Sequence, residues 1–173
     1  VFLDIGARLS FFSLLAALHP ACRHVLAIEP VPRTFRALTA NVRRNRAPLI
    51  AAVRGAVTNV GEGEVGLSFN PRHSGLSRIT RDTDAAVRAP AIGAAELDTL
   101  MPATPTRIVA KIDVEGDEPT VLATLAQTAF YRRIEEIIIE ISETNLGSAT
   151  RREALLAMLP ADGFNEVSRR GTA

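Results

Sequence analysis

The chain has 173 residues, of which 47% are hydrophobic and 23% are charged, with a net charge of +1 at pH 7. This composition predicts one globular domain over residues 1–173 and excludes a disordered chain, while no apolar run approaches the roughly 20 residues that a transmembrane helix needs. We therefore expect no membrane or nucleic-acid partner, and the single cysteine, Cys22, excludes an internal disulfide and indicates the reducing cytoplasm.

Predicted strands and helices alternate from the first residue onward. The opening strand, Val1–Ile5, is already apolar and lacks a methionine, so we expect the natural protein to extend upstream. A helix around Phe11–Leu18 follows, then a strand at Val25–Glu29 and a helix that begins after Pro30. The third strand is predicted over Ile50–Val57.

The second half continues the same alternation. Its predicted elements, in chain order, are a turn at 61–63, a strand at Glu64–Phe69, a polar loop at Asn70–Arg81, a strand at Val87–Ile92, a helical turn at Ala95–Leu100, a strand at Ile108–Asp113 and a helix at Pro119–Gln127. A strand at Ile134–Ile141, a helix that begins with Thr150–Glu153 and a strand at Phe164–Val167 complete the chain. Ile134–Ile141 is so apolar that we expect burial on both faces. Repeated βα units predict an α/β fold, a doubly wound, mostly parallel sheet with an inserted β-hairpin.

The first βα turn, Asp4 to Ser10, lies where nucleotide-binding folds place a glycine loop. Glu29 ends the second strand, nineteen residues after Ser10, a spacing that suits a carboxylate that accepts hydrogen bonds from two ribose hydroxyls. Together these features indicate an adenosine-containing cofactor. The alternative is that Gly6 is a plain turn glycine and Glu29 a solvated strand end.

The chemistry of this turn discriminates between cofactors. A dinucleotide needs closely spaced glycines, so that the backbone approaches the pyrophosphate, and this turn has only Gly6. Asp4, just before Gly6, would repel a pyrophosphate but would favour the amino group or sulfonium of S-adenosyl-L-methionine. The sequence therefore favours a methyl donor over NAD, and an NAD-dependent oxidoreductase is the disfavoured alternative.

A cluster of acids follows the strand Ile108–Asp113, at the sheet edge where ligands bind in such folds. Its members are Asp113, Glu115, Asp117 and Glu118. Asp113 or Glu115 is a candidate general base whose pKa neighbouring carboxylates would raise. For Asp117 and Glu118 the alternative is stabilisation of the next helix, which we prefer for Asp117. No metal site is predicted; the alternative is a divalent metal held by the oxygens of Asp113 and Glu115, which their spacing does not identify.

Lys111 is the only lysine of the chain and stands two residues before Asp113. It either counters the charge of the acidic cluster during catalysis or forms a structural ion pair. For the ion pair, which we favour, the expected partners are Glu115, Glu118 or Glu140.

Seven blocks span nearly the whole chain: Asp4-Ile-Gly-Ala7, Ala27-Ile-Glu-Pro30 with Pro32, Thr34 and Phe35, Asn41 with Asn45, Gly55-Ala-Val57, Leu97-Asp98 with Leu100, Lys111-Ile-Asp-Val-Glu-Gly116 with Glu118, and Ile137-Ile-Ile-Glu-Ile141. In this order they resemble the FkbM family of S-adenosyl-L-methionine-dependent methyltransferases. The resemblance implies a class I methyltransferase, Rossmann-like fold and O-methylation of a hydroxyl on a sugar or natural-product acceptor.

The resemblance also implies roles for individual residues. Carried over by position, Asp4, Gly6 and Ala7 line the methionine part of the cofactor, Glu29 holds the ribose, Ala56 lies near the adenine, and Asp113 and Glu115 lie near the reacting methyl. The full cofactor-binding set is Asp4, Gly6, Ala7, Arg8, Ser10, Glu29, Pro30, Ala56 and Asp113, and the catalytic set is Lys111, Asp113 and Glu115. The partner is a small-molecule or glycan acceptor.

Three departures from the family pattern stand out. Arg8 replaces an asparagine, and it either binds the methionine carboxylate or points to solvent. Ser10 replaces a glycine; a positive φ there costs on the order of 1–2 kcal/mol, whereas an N-cap suits serine well. The antiparallel seventh strand and an upstream lid are missing, so we expect a domain truncated at both ends. These departures motivate an alternative function, a catalytically silent methyltransferase-like module with a structural or interaction role.

Overall fold

The computed structural model describes residues 1–59, 63–68, 78–80, 85–103, 107–141 and 149–166, and all structural statements concern these residues. In chain order the elements are β1 (Phe2–Ile5), α1 (Phe11–Ala17), β2 (Val25–Glu29), α2 (Pro32–Arg44), β3 (Ile50–Arg54), β4 (Ala56–Val57), β5 (Glu64–Ser68), β6 (Arg78–Thr80), β7 (Val87–Ile92), α3 (Ala94–Leu100), β8 (Ile108–Ile112), α4 (Glu118–Leu125), β9 (Ile134–Ile139) and α5 (Ala149–Ala161). A single 3₁₀ turn, Tyr131–Arg133, precedes β9.

The main sheet is parallel throughout and has the strand order β3-β2-β1-β8-β9. The chain moves outward from β1 to β3 and then returns to the other side of β1. The strand order therefore reverses between β1 and β8, and ligands of open α/β sheets bind at such a switch point. The predicted doubly wound, Rossmann-like sheet is confirmed.

The second sheet has the order β4-β7-β5-β6 and contains the inserted hairpin, β5 with β6. The predicted strand Ile50–Val57 is wrong as one element, because it breaks at Gly55 into β3 of the main sheet and β4 of the second sheet. A Cβ atom at Gly55 would lie 2.4 Å from Cδ1 of Ile92, so a larger residue at this crossover would require the buried Ile92 side chain to move. The predicted polar loop Asn70–Arg81 is wrong at Arg78–Thr80, which forms β6; its other residues lie outside the described ones.

The core forms where the apolar residues of the central strands meet those of the helices. Leu3 and Ile5 of β1 are buried, with at most 1% of either residue exposed. In α4 the three residues expected to point inward, Val121, Leu122 and Leu125, are buried as predicted. Within the described ranges no helix is long and apolar enough to cross a bilayer.

The C-terminal third differs from the sequence prediction in two respects. The apolar strand, β9, is an edge strand that pairs only with β8 among the described residues, so Ile138 is 53% exposed and burial on both faces is wrong. The helix α5 ends before Gly163, whose φ of +91° suits glycine. No strand forms over residues 164–166; instead the Phe164 ring contacts that of Tyr131 with centroids 6.2 Å apart.

Candidate active site

A cleft opens at the switch point, between the carboxyl ends of β1, β2 and β8 and the hairpin of the second sheet. The cleft is partly open to solvent. Its lining residues are Ile5, Gly6, Arg8, Ile28, Glu29, Pro30, Gly55, Ala56, Val57, Leu67, Ile79, Asp113, Val114, Glu115, Asp117 and Val121. The cleft thus combines apolar walls with a few charged groups, as small-molecule sites do.

Gly6 allows the loop after β1 to pass directly against the end of β8. Its φ is +79°, and a Cβ atom there would lie 1.9 Å from the carbonyl oxygen of Asp113. The backbone N–H groups of Gly6 and Ala7 both donate to the carbonyl of Ile28, at 3.0 Å. A side chain at position 6 would therefore separate the two strand ends that border the cleft.

The two residues that depart from the family pattern both adopt left-handed backbone conformations. Arg8 has a φ of +49° and Ser10 a φ of +74°. Ser10 occupies the N-cap position of α1, but its hydroxyl donates to the carbonyl of Leu9 and accepts no hydrogen bond from the first turn of the helix, so it provides no side-chain cap. The strain alternative therefore holds at this position. Ser10 is fully buried and stands outside the cleft lining, so it does not fill the cleft.

Glu29 joins the loop after β1 to the loop after β2. Its Oε2 accepts a hydrogen bond from the N–H of Arg8 at 3.0 Å, and its Oε1 accepts one from the N–H of Val31 at 2.9 Å. Only 4% of the residue is exposed, so it is not a solvated strand end. Burial raises the pKa of Glu29, and the two backbone hydrogen bonds partly oppose that rise. Since a carboxylate accepts about four hydrogen bonds, Glu29 retains capacity toward the cleft.

A buried polar network lies beneath the cleft, between β1, β8 and α1. The Asp4 carboxylate accepts a hydrogen bond from the hydroxyl of Ser13 at 2.6 Å and lies 3.6 Å from Nζ of Lys111. Lys111 also donates to Oδ2 of Asp113 at 3.1 Å. The ring of Phe12 covers the ammonium, with its centroid 5.1 Å away. Burial raises the pKa of Asp4, and the charge of Lys111 opposes the rise.

Lys111 is therefore part of an ion pair, as favoured from the sequence, but its expected partners are wrong. It binds Asp4 and Asp113 instead of the three glutamates, because its side chain shares a sheet face with Asp4 on the neighbouring strand. The catalytic assignment of Lys111 remains a prediction. Asp4 itself lies outside the cleft lining, and its assignment to the methionine part of the cofactor also remains a prediction.

The loop after β8 carries Glu115 into the cleft in a left-handed conformation, with a φ of +59°. Burial raises the pKa of Glu115, and the carboxylates of Asp113 and Glu140 raise it further. The carboxylate of Glu118 holds this loop, because its Oε1 accepts the N–H of Gly116 at 2.9 Å. The geometry thus presents a carboxyl group with an elevated pKa, the property that a general base at neutral pH requires.

The predicted role of Asp117 as a charge that stabilises the following helix remains a prediction. Asp117 occupies the N-cap position of α4, but its side chain makes no hydrogen bond to the helix. Its Oδ2 instead accepts the backbone N–H of Ile79 in β6 at 3.0 Å. Asp117 therefore connects the loop after β8 to the hairpin.

The structure brings one part of the predicted set together and separates the other. The predicted residues that line the cleft are Gly6, Arg8, Glu29, Pro30, Ala56, Asp113 and Glu115, whereas Asp4, Ala7, Ser10 and Lys111 lie behind them. Ala7 packs in an apolar cluster against Ala27 and Leu38. The sequence also offers candidate substrate contacts in the loop segment His73–Arg78 and, after the strand Ile134–Ile141, at Ser142, Glu143 and Asn145; of these only Arg78, in β6, is among the described residues. Among those described, no group of acids, histidines or cysteine is arranged to hold a metal ion.

Sequence reasoning missed the apolar walls of the cleft. The missed residues are Ile28, Val57, Leu67, Ile79 and Val121. For Leu67 the usable signal was alternation in the strand Glu64–Ser68, whereas the short strand of Ile79 was assigned to a loop. For Ile28 the signal was its place just before Glu29.

A doubly wound parallel sheet with a mixed cleft at its switch point defines a Rossmann-like α/β protein. The Methyltransferase FkbM domain matches residues 4–165, so the chain belongs to this family, and membership supports a methyltransferase role. The crystal structure of methyltransferase FkbM from Methylobacillus flagellatus KT has a similar fold, with a TM-score of 0.54 at 18% identity. The similarity covers 92% of this chain but only 37% of that one. No curated protein matches the chain.

Proposed function

We propose that the chain is an S-adenosyl-L-methionine-dependent methyltransferase that transfers a methyl group to a hydroxyl of a sugar or natural-product acceptor. Family membership supports the reaction type. The observation that carries the choice of cofactor is the position of Glu29, which bridges the two βα loops and lines the same cleft as Gly6 and Asp113.

The residues present fit an adenosyl methyl donor. The carboxylate of Glu29 has acceptor capacity for two ribose hydroxyls, and the apolar walls formed by Val57, Leu67 and Ile79 suit a purine ring. Arg8 lines the cleft mouth, where a guanidinium suits a carboxylate. The single glycine of the loop does not suit a pyrophosphate. When bound, S-adenosyl-L-methionine supplies an electrophilic methyl group.

The chemistry left to the protein is alignment of the acceptor and removal of its proton. Glu115 is the group we assign to proton removal, because it lines the cleft and its pKa is raised by burial. Asp113 is held in place by Lys111 and contributes negative charge beside it.

Calorimetric titration with S-adenosylhomocysteine tests the cofactor. The wild-type protein should bind, and Glu29→Gln should bind about 10- to 100-fold more weakly, the effect of losing a charged hydrogen-bond acceptor. Glu135→Gln is the matched control, because Glu135 pairs with Arg107 at the surface away from the cleft. Equal binding by both variants would remove Glu29 from the cofactor site.

The competing function is the silent module, which the left-handed Arg8 and Ser10 favour, since neither residue suits that conformation. It predicts no heat and no thermal shift with millimolar S-adenosylhomocysteine. If the ligand binds, Glu115→Gln should retain its affinity but lose about 10²- to 10⁴-fold in methyl transfer to a panel of hydroxyl acceptors. Unchanged turnover would exclude Glu115 as the base.

A further inference from the structure

The hairpin β5–β6 forms one wall of the cleft, and it does so with two facing side chains. Leu67 and Ile79 are opposite one another in the antiparallel pair, and both line the cleft. The strand order of the second sheet ends at β6, which pairs with β5 alone among the described strands. The far edge of β6 thus depends on contacts other than sheet pairing for its position.

Asp117 supplies a contact at that edge. Its Oδ2 accepts the N–H of Ile79 at 3.0 Å, and the sequence separation of 38 residues makes this a tertiary link. The aspartate directly follows Gly116 in the loop that carries Glu115, and it precedes α4, whose Val121 also lines the cleft. One hydrogen bond therefore joins the apolar wall to the loop that bears the candidate base.

We propose that Asp117 is a positioning residue: by holding Ile79 it keeps the hairpin closed against the cleft and slows dissociation of the adenosyl end of the cofactor. The part concerning the cofactor rests on the proposed function. The part concerning the hairpin rests only on the contact between Asp117 and Ile79. A charge-assisted bond to a backbone N–H is among the stronger hydrogen bonds, so its loss has a measurable effect on local opening.

Hydrogen exchange of the ligand-free protein tests the hairpin directly. Asp117→Ala should speed exchange in segment 78–80 about 10-fold or more. Asp117 makes no side-chain bond to α4, so at that helix alanine removes only the charge at the N-cap position. Asp117→Asn retains a carbonyl oxygen and should restore slow exchange. Asp98→Ala is the matched control, because Asp98 accepts the N–H of Ala129 at 2.9 Å in another part of the fold.

Ligand dissociation tests the second part. Asp117→Ala should release S-adenosylhomocysteine and methylthioadenosine about 10-fold faster, and to the same extent, because the hairpin contacts the end that both ligands share. Unchanged exchange in segment 78–80 would overturn the positioning role. A faster release of S-adenosylhomocysteine alone would overturn the assignment to the adenosyl end. If the wild-type protein binds neither ligand, the proposed function fails, while the exchange result still decides the role of Asp117.

Discussion

Ser10 provides a direct test of the geometry of the cofactor loop. Its φ of +74° places a buried β-carbon in the left-handed region, where an L-residue costs roughly 1–2 kcal/mol. Glycine avoids that cost but loses about 0.5–1 kcal/mol to its greater freedom in the unfolded chain. The difference predicts that Ser10→Gly is more stable than Ser10→Ala by about 0.5–1 kcal/mol.

Comparison of glycine with alanine cancels the loss of the hydroxyl, because both variants lack it. The assay is urea unfolding followed by far-UV circular dichroism, and the same difference should appear as about 1–4 °C in Tm. Ser13 is the matched control: it lies inside α1, where glycine should be about 1 kcal/mol less stable than alanine. If Ser10→Ala equals or exceeds Ser10→Gly in stability, position 10 is not left-handed and the strain argument is wrong.

Three further outcomes follow from the described contacts. Gly6→Ala should lose about 3 kcal/mol or more in unfolding free energy, since its Cβ would collide with the carbonyl of Asp113; a near-native Tm would contradict this. Lys111→Met should lower the unfolding free energy by about 3–5 kcal/mol, because it leaves buried carboxylates unpaired. In urea titrations the double variant with Asp4→Asn should recover part of this loss. Additive losses of the two substitutions would exclude the ion pair. Burial raises the pKa of Tyr131 above 10.0, so its contribution to the unfolding free energy is fully present below pH 10 and is lost as the pH rises further. In thermal melts Tyr131→Phe should abolish this alkaline loss of stability. An unchanged loss in the variant would exclude Tyr131 as its source.

Much of the fold and part of the site are predictable from the sequence, because they depend on local signals. The helices and strands follow from apolar periodicity, and Glu29 follows from its spacing to the first βα turn. A glycine at position 6 permits the loop after β1 to approach Asp113 closely. That approach can be recognised only once β1 and β8 are known to be neighbouring strands. Local geometry thus identifies candidate positions, while strand order decides what they contact.

The missed features depend on which strands are adjacent or on strands too short to show a pattern. The partners of Lys111 follow from the register that pairs Asp4 with Lys111 across β1 and β8, and the sequence contains no local trace of that pairing. Exposure of Ile138 follows from the edge position of β9, which apolar composition cannot reveal. Ile79 was overlooked because a three-residue strand is too short to show alternation.

Gly55 joins the main sheet to the second sheet, so that strands of both sheets belong to one continuous segment of chain. The residue before it, Arg54, is in register with Glu29 in the main sheet, and the residue after it, Ala56, begins the second sheet. The side chain of Ile92 packs against this joint, so a side chain at position 55 would collide with it. Engineering for bulkier or smaller ligands is best directed away from this joint, at Leu67 and Ile79 of the hairpin strands, whose side chains line the cleft.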